Sequence, residues 1–103
     1  MRKAIKKVVL VSHGGYRPEH DALLGELLER RIEIFCAVGK DCRQWEDSMD
    51  ALVTGPVGDT AHFVLTTSHP DESVDQVVAF ARLLHVEGGA TEKVSDVEII
   101  EIH

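Results

Sequence analysis

Two histidines stand at the ends of short β-like runs, and they have the widest chemical reach of any residues in this chain. The first lies in Ser12-His13-Gly14-Gly15-Tyr16 and the second in Ser68-His69-Pro70-Asp71. An imidazole so placed can accept a phosphoryl group, move a proton or ligate a metal, and a glycine pair lets the backbone come close to a ligand. The spacing does not choose among these chemistries. His13 and His69 are therefore the candidate catalytic residues, with Ser12, Gly14, Gly15, Tyr16, Ser68 and Asp71 as candidate ligand-binding residues around them. The alternative reading is structural: the glycines supply positive φ at a strand-ending turn, and Ser68 to Asp71 cap the helix that follows. A metal site on His13 and His69 needs at least one more ligand, and Glu19, His20 and Asp71 are the candidates. No residue pattern identifies a cofactor.

Cys42 is the candidate reactive thiol. It opens a helix with Lys40 and Arg43 beside it, surroundings that lower a thiol pKa, while Asp41, Glu46 and Asp47 cancel part of that field. Cys36 lies inside an apolar run and reads as a small buried hydrophobe. Two cysteines do not make a disulfide framework, so both are expected to be reduced. The dinucleotide, P-loop and nucleophile-elbow motifs are all missing. Ser12-His13 also stands where a receiver domain would carry an acidic pair.

These residues are positioned by a rhythm of apolar runs alternating with amphipathic helices. Strand one spans Ile5 to Ser12, strand two Ile32 to Val38, strand three Ala61 to Thr67 and strand four Val94 to Ile102. Between them, helical spacing places Leu23, Leu24, Leu27 and Leu28 on one face, then Trp45, Met49, Leu52 and Val53, then Val74, Val77, Val78, Ala81 and Leu84. The expected fold is a single α/β domain over residues 1–103, a three-layer α/β/α sandwich of βαβαβαβ topology with a four-stranded, mainly parallel sheet of flavodoxin-like or Rossmann-like type. Strands one and three carry unbroken apolar cores, which predicts that they are central and adjacent, in the order 2-1-3-4. His13 and His69 would then face each other across the crevice where the order reverses. Glu98 and Glu101 mark strand four as an edge.

Composition narrows the function classes. The 103 residues carry a net charge of −7, with eleven basic and eighteen acidic residues. Four of the basic ones, Arg2, Lys3, Lys6 and Lys7, precede the first apolar run and read as a solvated strand entry. The remainder is strongly acidic, which argues against nucleic-acid binding. No apolar run approaches the length of a membrane span, and no signal-peptide pattern is present. The expectation is a cytoplasmic protein that engages neither nucleic acid nor membrane, with its oligomeric state left open.

Val9-Leu10-Val11-Ser12-His13-Gly14 resembles the opening of the mannose-type IIA domains of the sugar phosphotransferase system, a resemblance that implies phosphorylation of His13. The same segment is similar to the small cobaltochelatases, which implies metal binding by His13, with His69 as a second histidine. Taken whole, the chain resembles small bacterial α/β proteins of uncharacterised family. Three functions follow as expectations: a module binding a small molecule or anion at the rim of strands one and three; an enzyme using His13, with His69, as metal ligand, acid/base or phosphoacceptor; or a protein-interaction domain. Because both histidines are read as lying beyond their strands, replacing them is expected to cost little stability.

Overall fold

Two uninterrupted apolar runs pair at the centre of the sheet. In the structure, a computed structural model that describes residues 5–54, 64–93 and 96–103, Lys7–Ser12 forms β1 and Ile34–Gly39 forms β2. Every residue from Val8 to Val11 and from Ile34 to Val38 is buried, as in parallel strands covered on both faces. Leu65–His69 forms β3 on the far side of β2, and Val97–Ile102 forms β4 on the far side of β1. All the pairings are parallel, and the order is β3-β2-β1-β4.

Helices α1 (Asp21–Glu29), α2 (Cys42–Thr54) and α3 (Val74–Leu83) make the connections, with 3₁₀ turns at Pro18–His20 and Ala90–Glu92. The chain steps from β1 to β2 to β3 in one direction, so α1 and α2 share a face of the sheet. There Leu24, Leu27, Trp45 and Met49 pack with Val8, Leu10, Phe35 and Ala37. The step from β3 to β4 runs back across β2 and β1, and the right-handedness of such crossovers requires α3 to lie on the opposite face. Val77 and Ala81 pack there with Val9, Val11, Ile34, Cys36 and Val38. A reciprocal pair of bonds between Ser73 and Gln76 caps the start of α3, satisfying donors that the first helical turn leaves free. No helix among the described residues is long and apolar enough to cross a membrane.

The α/β class, the central β1 and the edge position of β4 match the sequence expectation, but the order 2-1-3-4 does not. The apolar residues that suggested a central third strand cluster at its start, and Ala61 to Phe63 lie outside the described residues. What remains of β3 is largely Thr66, Thr67 and Ser68, all half-buried, the character of an edge. Thr66 and Ser68 turn towards α2, where their hydroxyls donate to Asp50 and Glu46 at 2.5 and 2.7 Å. The first part of the expected fourth strand, Val94 and Ser95, is likewise outside the described residues.

The basic start is not simply solvated. Lys7 is only 1% exposed, and its Nζ donates to the Ala81 and Arg82 carbonyls at 2.9 Å, at the end of α3. Lys6 donates to the Arg30 carbonyl beyond α1 at 2.6 Å. Each ammonium thus meets the negative end of a helix dipole and carbonyls at or just beyond the last turn. Burial pushes the Lys7 amine below the ordinary lysine range. Arg2 and Lys3 lie outside the described residues.

Candidate functional site

Strand order decides where a crevice can open. The connections leaving β1 and arriving at β4 run in opposite directions along the sheet, so the β1/β4 boundary is the switch point, and ligands in such sheets bind at its carboxyl-end rim. The residues gathered there are His13 to His20 after β1 and Glu101 to His103 at the end of β4.

The loop after β1 is tied to both of its neighbours. The N–H groups of His13 and Gly14 donate to the Ile102 carbonyl, at 2.8 and 3.4 Å. A side chain at Gly14 would place its Cβ 2.2 Å from the His103 carbonyl oxygen, so only glycine lets the end of β4 lie this close. Gly15, at φ +94°, turns the chain so that the Tyr16 N–H reaches Asp41 Oδ2 at 3.1 Å. Both glycines therefore serve the packing of the loop itself.

Four basic side chains stand on this scaffold. His13 is half exposed, with Nε2 3.1 Å from Glu101 Oε1, and its ring stacks on His103 at 5.1 Å and 8° between planes. The Arg17 N–H donates to Nδ1 of His20 at 3.1 Å, so a neutral His20 carries its proton on Nε2. The His20 ring lies on Trp45 at 4.8 Å. Trp45 is fully buried; its Nε1 donates to Ser12 Oγ at 3.0 Å, and the Tyr16 ring meets it edge-on at 5.3 Å. The Tyr16 phenol donates to Asp21, and that carboxylate is the main cause raising the phenol pKa, which keeps the proton in place.

A cleft of about 60 Å³ remains, lined by Gly14, Gly15, Arg17, His20, Ile102 and His103. Three of these six are basic and none is acidic, in a chain of net charge −7. Of the surrounding carboxylates, Glu101 faces His13, and Asp41 and Asp21 face Tyr16, while Glu19 lies 3.7 Å from Arg17 of the cleft itself, both side chains being largely exposed. The cleft is far below the ~300–1,000 Å³ of a site that encloses a drug-sized ligand. It suits an ion or the charged end of a longer molecule.

Of the residues expected to form the site, Ser12, His13, Gly14, Gly15 and Tyr16 come together here with His20. Ser68, His69 and Asp71 do not join them, because β2 stands between β1 and β3. The expected pairing of His13 with His69 across one crevice is corrected accordingly. His69 is the last residue of β3 and 6% exposed. Its Nε2 lies 2.8 Å from Thr67 Oγ1, its Nδ1 2.8 Å from Glu72 Oε1, and Phe80 meets its ring edge-on. Carboxylate, imidazole and hydroxyl follow the order of a nucleophile relay, but this chain is packed against α3 and fastens the end of β3 to the turn that precedes it. Asp71 is exposed in that turn.

Among the described residues, no three histidine, cysteine or acidic side chains converge in a way that could hold a metal. Cys42, the first residue of α2, is buried in the core, and Cys36 is buried with its thiol pKa raised chiefly by that burial. Neither cysteine is paired. Arg17, Glu101 and His103 were not expected at the site. The sequence marked Glu101 only as a charge on an edge strand, and the pairing of β4 with β1 is what brings it to His13.

No curated protein and no solved structure matches the chain. A resemblance of residues 9–14 to mannose-type IIA domains or small cobaltochelatases is not shown by any of the comparisons. A family match does run nearly end to end, over residues 2–103, and by it the chain belongs to the family described as a domain of unknown function, DUF7684.

Proposed function

We propose that this protein is a small-anion-binding module whose ligand sits in the cleft between the ends of β1 and β4, held by Arg17, His20 and His103 with His13 at its margin. One observation carries the reading: three of the six residues that line the cleft at the switch point are basic and none is acidic. Arginine supplies a planar fork of donors suited to phosphate or carboxylate. Imidazoles add donors whose charge responds to pH. The order 3-2-1-4 is also how doubly wound dinucleotide-binding sheets begin, with ligands at the same rim, which supports the place of the site without naming a ligand. Two unpaired cysteines support a reducing compartment, the cytoplasm.

Trp45 is the single tryptophan and lies against His20, so its fluorescence reads the cleft directly. Titration with inorganic phosphate at pH 6 should change that emission saturably and raise the melting temperature. At ten times the dissociation constant, linked binding stabilises by about 1.4 kcal/mol. Arg17→Ala and His20→Ala should each weaken the response at least tenfold, and Ser68→Ala should leave it intact. A response that survives loss of both Arg17 and His20 would place the ligand elsewhere.

A further inference from the structure

We propose that the outer face of α3 is a dimerisation surface, and that its occupant is α3 of a second copy of this chain running in the opposite direction. The helix carries two stripes at helical spacing. Val77 and Ala81 are the buried centre of the first, which packs on the sheet. Gln76, Ala79, Phe80 and Leu83 make the second by the same i, i+3, i+4, i+7 rule and are all exposed, whereas a helix packed on one sheet needs only one apolar stripe. Three large apolar side chains stand exposed among the described residues, and two of them are here, Phe80 at 37% and Leu83 at 82%. Apolar side chains exposed singly are ordinary. Two of them one turn apart form a patch, the usual sign of an interaction site, and Ala79 between the turns is small enough to let a second helix come close.

Charge selects the occupant. Asp75 in the first turn and Arg82 in the last are both exposed, and their heptad spacing sets them along one flank of this stripe. When two such helices pack antiparallel, the same flank of each meets the other in reverse order, so Asp75 comes to the partner's Arg82 and Arg82 to the partner's Asp75. In a parallel pair Asp75 faces Phe80 instead, and the helix dipoles no longer oppose each other. The pattern is thus self-complementary, as a two-fold pairing of identical chains requires. The two charges also cancel, in a chain whose net charge of −7 otherwise keeps copies apart. Ten residues of helix make a contact about 15 Å long, small for a permanent complex, so the dimer is a reversible one.

Sedimentation equilibrium of the wild type at concentrations up to about 1 mM, the range in which so small an interface assembles, should show monomer and dimer in exchange. Leu83→Glu should weaken the dimer at least tenfold, and circular dichroism melts confirm that this and the other variants are folded. The charges give the decisive arm. Asp75→Arg alone sets arginine against arginine, and Arg82→Glu alone sets acid against acid, so each should dimerise at least tenfold more weakly than the wild type. An equal mixture of the two restores both ion pairs and should form a heterodimer. A wild type that stays monomeric throughout would overturn the pairing, and the stripe would then belong to a different partner. A dimer indifferent to Leu83→Glu would place the interface elsewhere and overturn it too. Loss of the dimer in Leu83→Glu with no heterodimer in the mixture would overturn the antiparallel arrangement. The cleft opens at the β1/β4 rim and not on this helix face, so the phosphate titrations succeed or fail independently of these results.

Discussion

Replacing His69 and His13 separately by alanine should split two histidines that look equivalent in the sequence. His69 is buried, bonded through both ring nitrogens and packed edge-on by Phe80. Each hydrogen bond contributes about 1 kcal/mol net, and the aromatic contact adds about 0.5–1.5 kcal/mol. His69→Ala should therefore cost about 3 kcal/mol. For a domain of this length each kcal/mol moves the melting temperature by about 4–8 °C, which predicts a fall on the order of 10–25 °C. His13 has one exposed ion pair, so His13→Ala should cost less than about 1 kcal/mol. Urea denaturation followed by Trp45 fluorescence, with calorimetric melts alongside, measures both. A His69→Ala protein within about 0.5 kcal/mol of the wild type would refute the assignment of His69 to the fold, as would a His13 variant equally damaged.

Two further outcomes follow from groups away from the cleft. Lys7→Met keeps most of the stem and removes the cap on α3, so it should cost about 1–3 kcal/mol at neutral pH. Because burial lowers the Lys7 pKa in the folded protein, the unfolded chain holds the extra proton between the lowered value and the ordinary lysine range near ~10.4. Stability contributed by Lys7 therefore rises with pH across that window, and the gap between wild type and variant, measured by urea denaturation at pH 7.5 and pH 10, should widen; a gap that narrows would contradict it. Thiol titration under non-reducing conditions should find no fast-reacting group in the native protein and both cysteines once it is denatured, since Cys36 and Cys42 are buried and unpaired. A fast native thiol would return Cys42 to the list of reactive groups.

The sequence carried the parts of the fold that depend on local pattern. Continuous burial of β1 was legible in Val8 to Val11, and the core faces of all three helices were legible in their spacing. Strand order was not, because apolarity was read from Phe63-Val64-Leu65, ahead of the polar Thr66-Thr67-Ser68 that makes up most of β3. That one reversal moved the crevice from the β1/β3 side to the β1/β4 side, exchanging His69 for His103. Five of the eight residues expected at the site, Ser12 to Tyr16, still lie together at a crevice, because the loop after β1 borders it in either order. The caps made by Lys6 and Lys7 were hidden for a different reason: their partners are main-chain carbonyls, which every sequence supplies.

The cleft joins the first strand of the sheet to the last. Lys7–Ser12 is in place early along the chain, whereas Val97–Ile102 can dock only after the long return over α3. Under the proposed anion binding, ligand and strand are two halves of one equilibrium: whatever frays the final strand empties the site, and whatever fills the site holds that strand against the sheet. Amide exchange along Val97–Ile102 should therefore slow more than anywhere else when the cleft is occupied, turning an edge strand into a clasp closed by its own ligand.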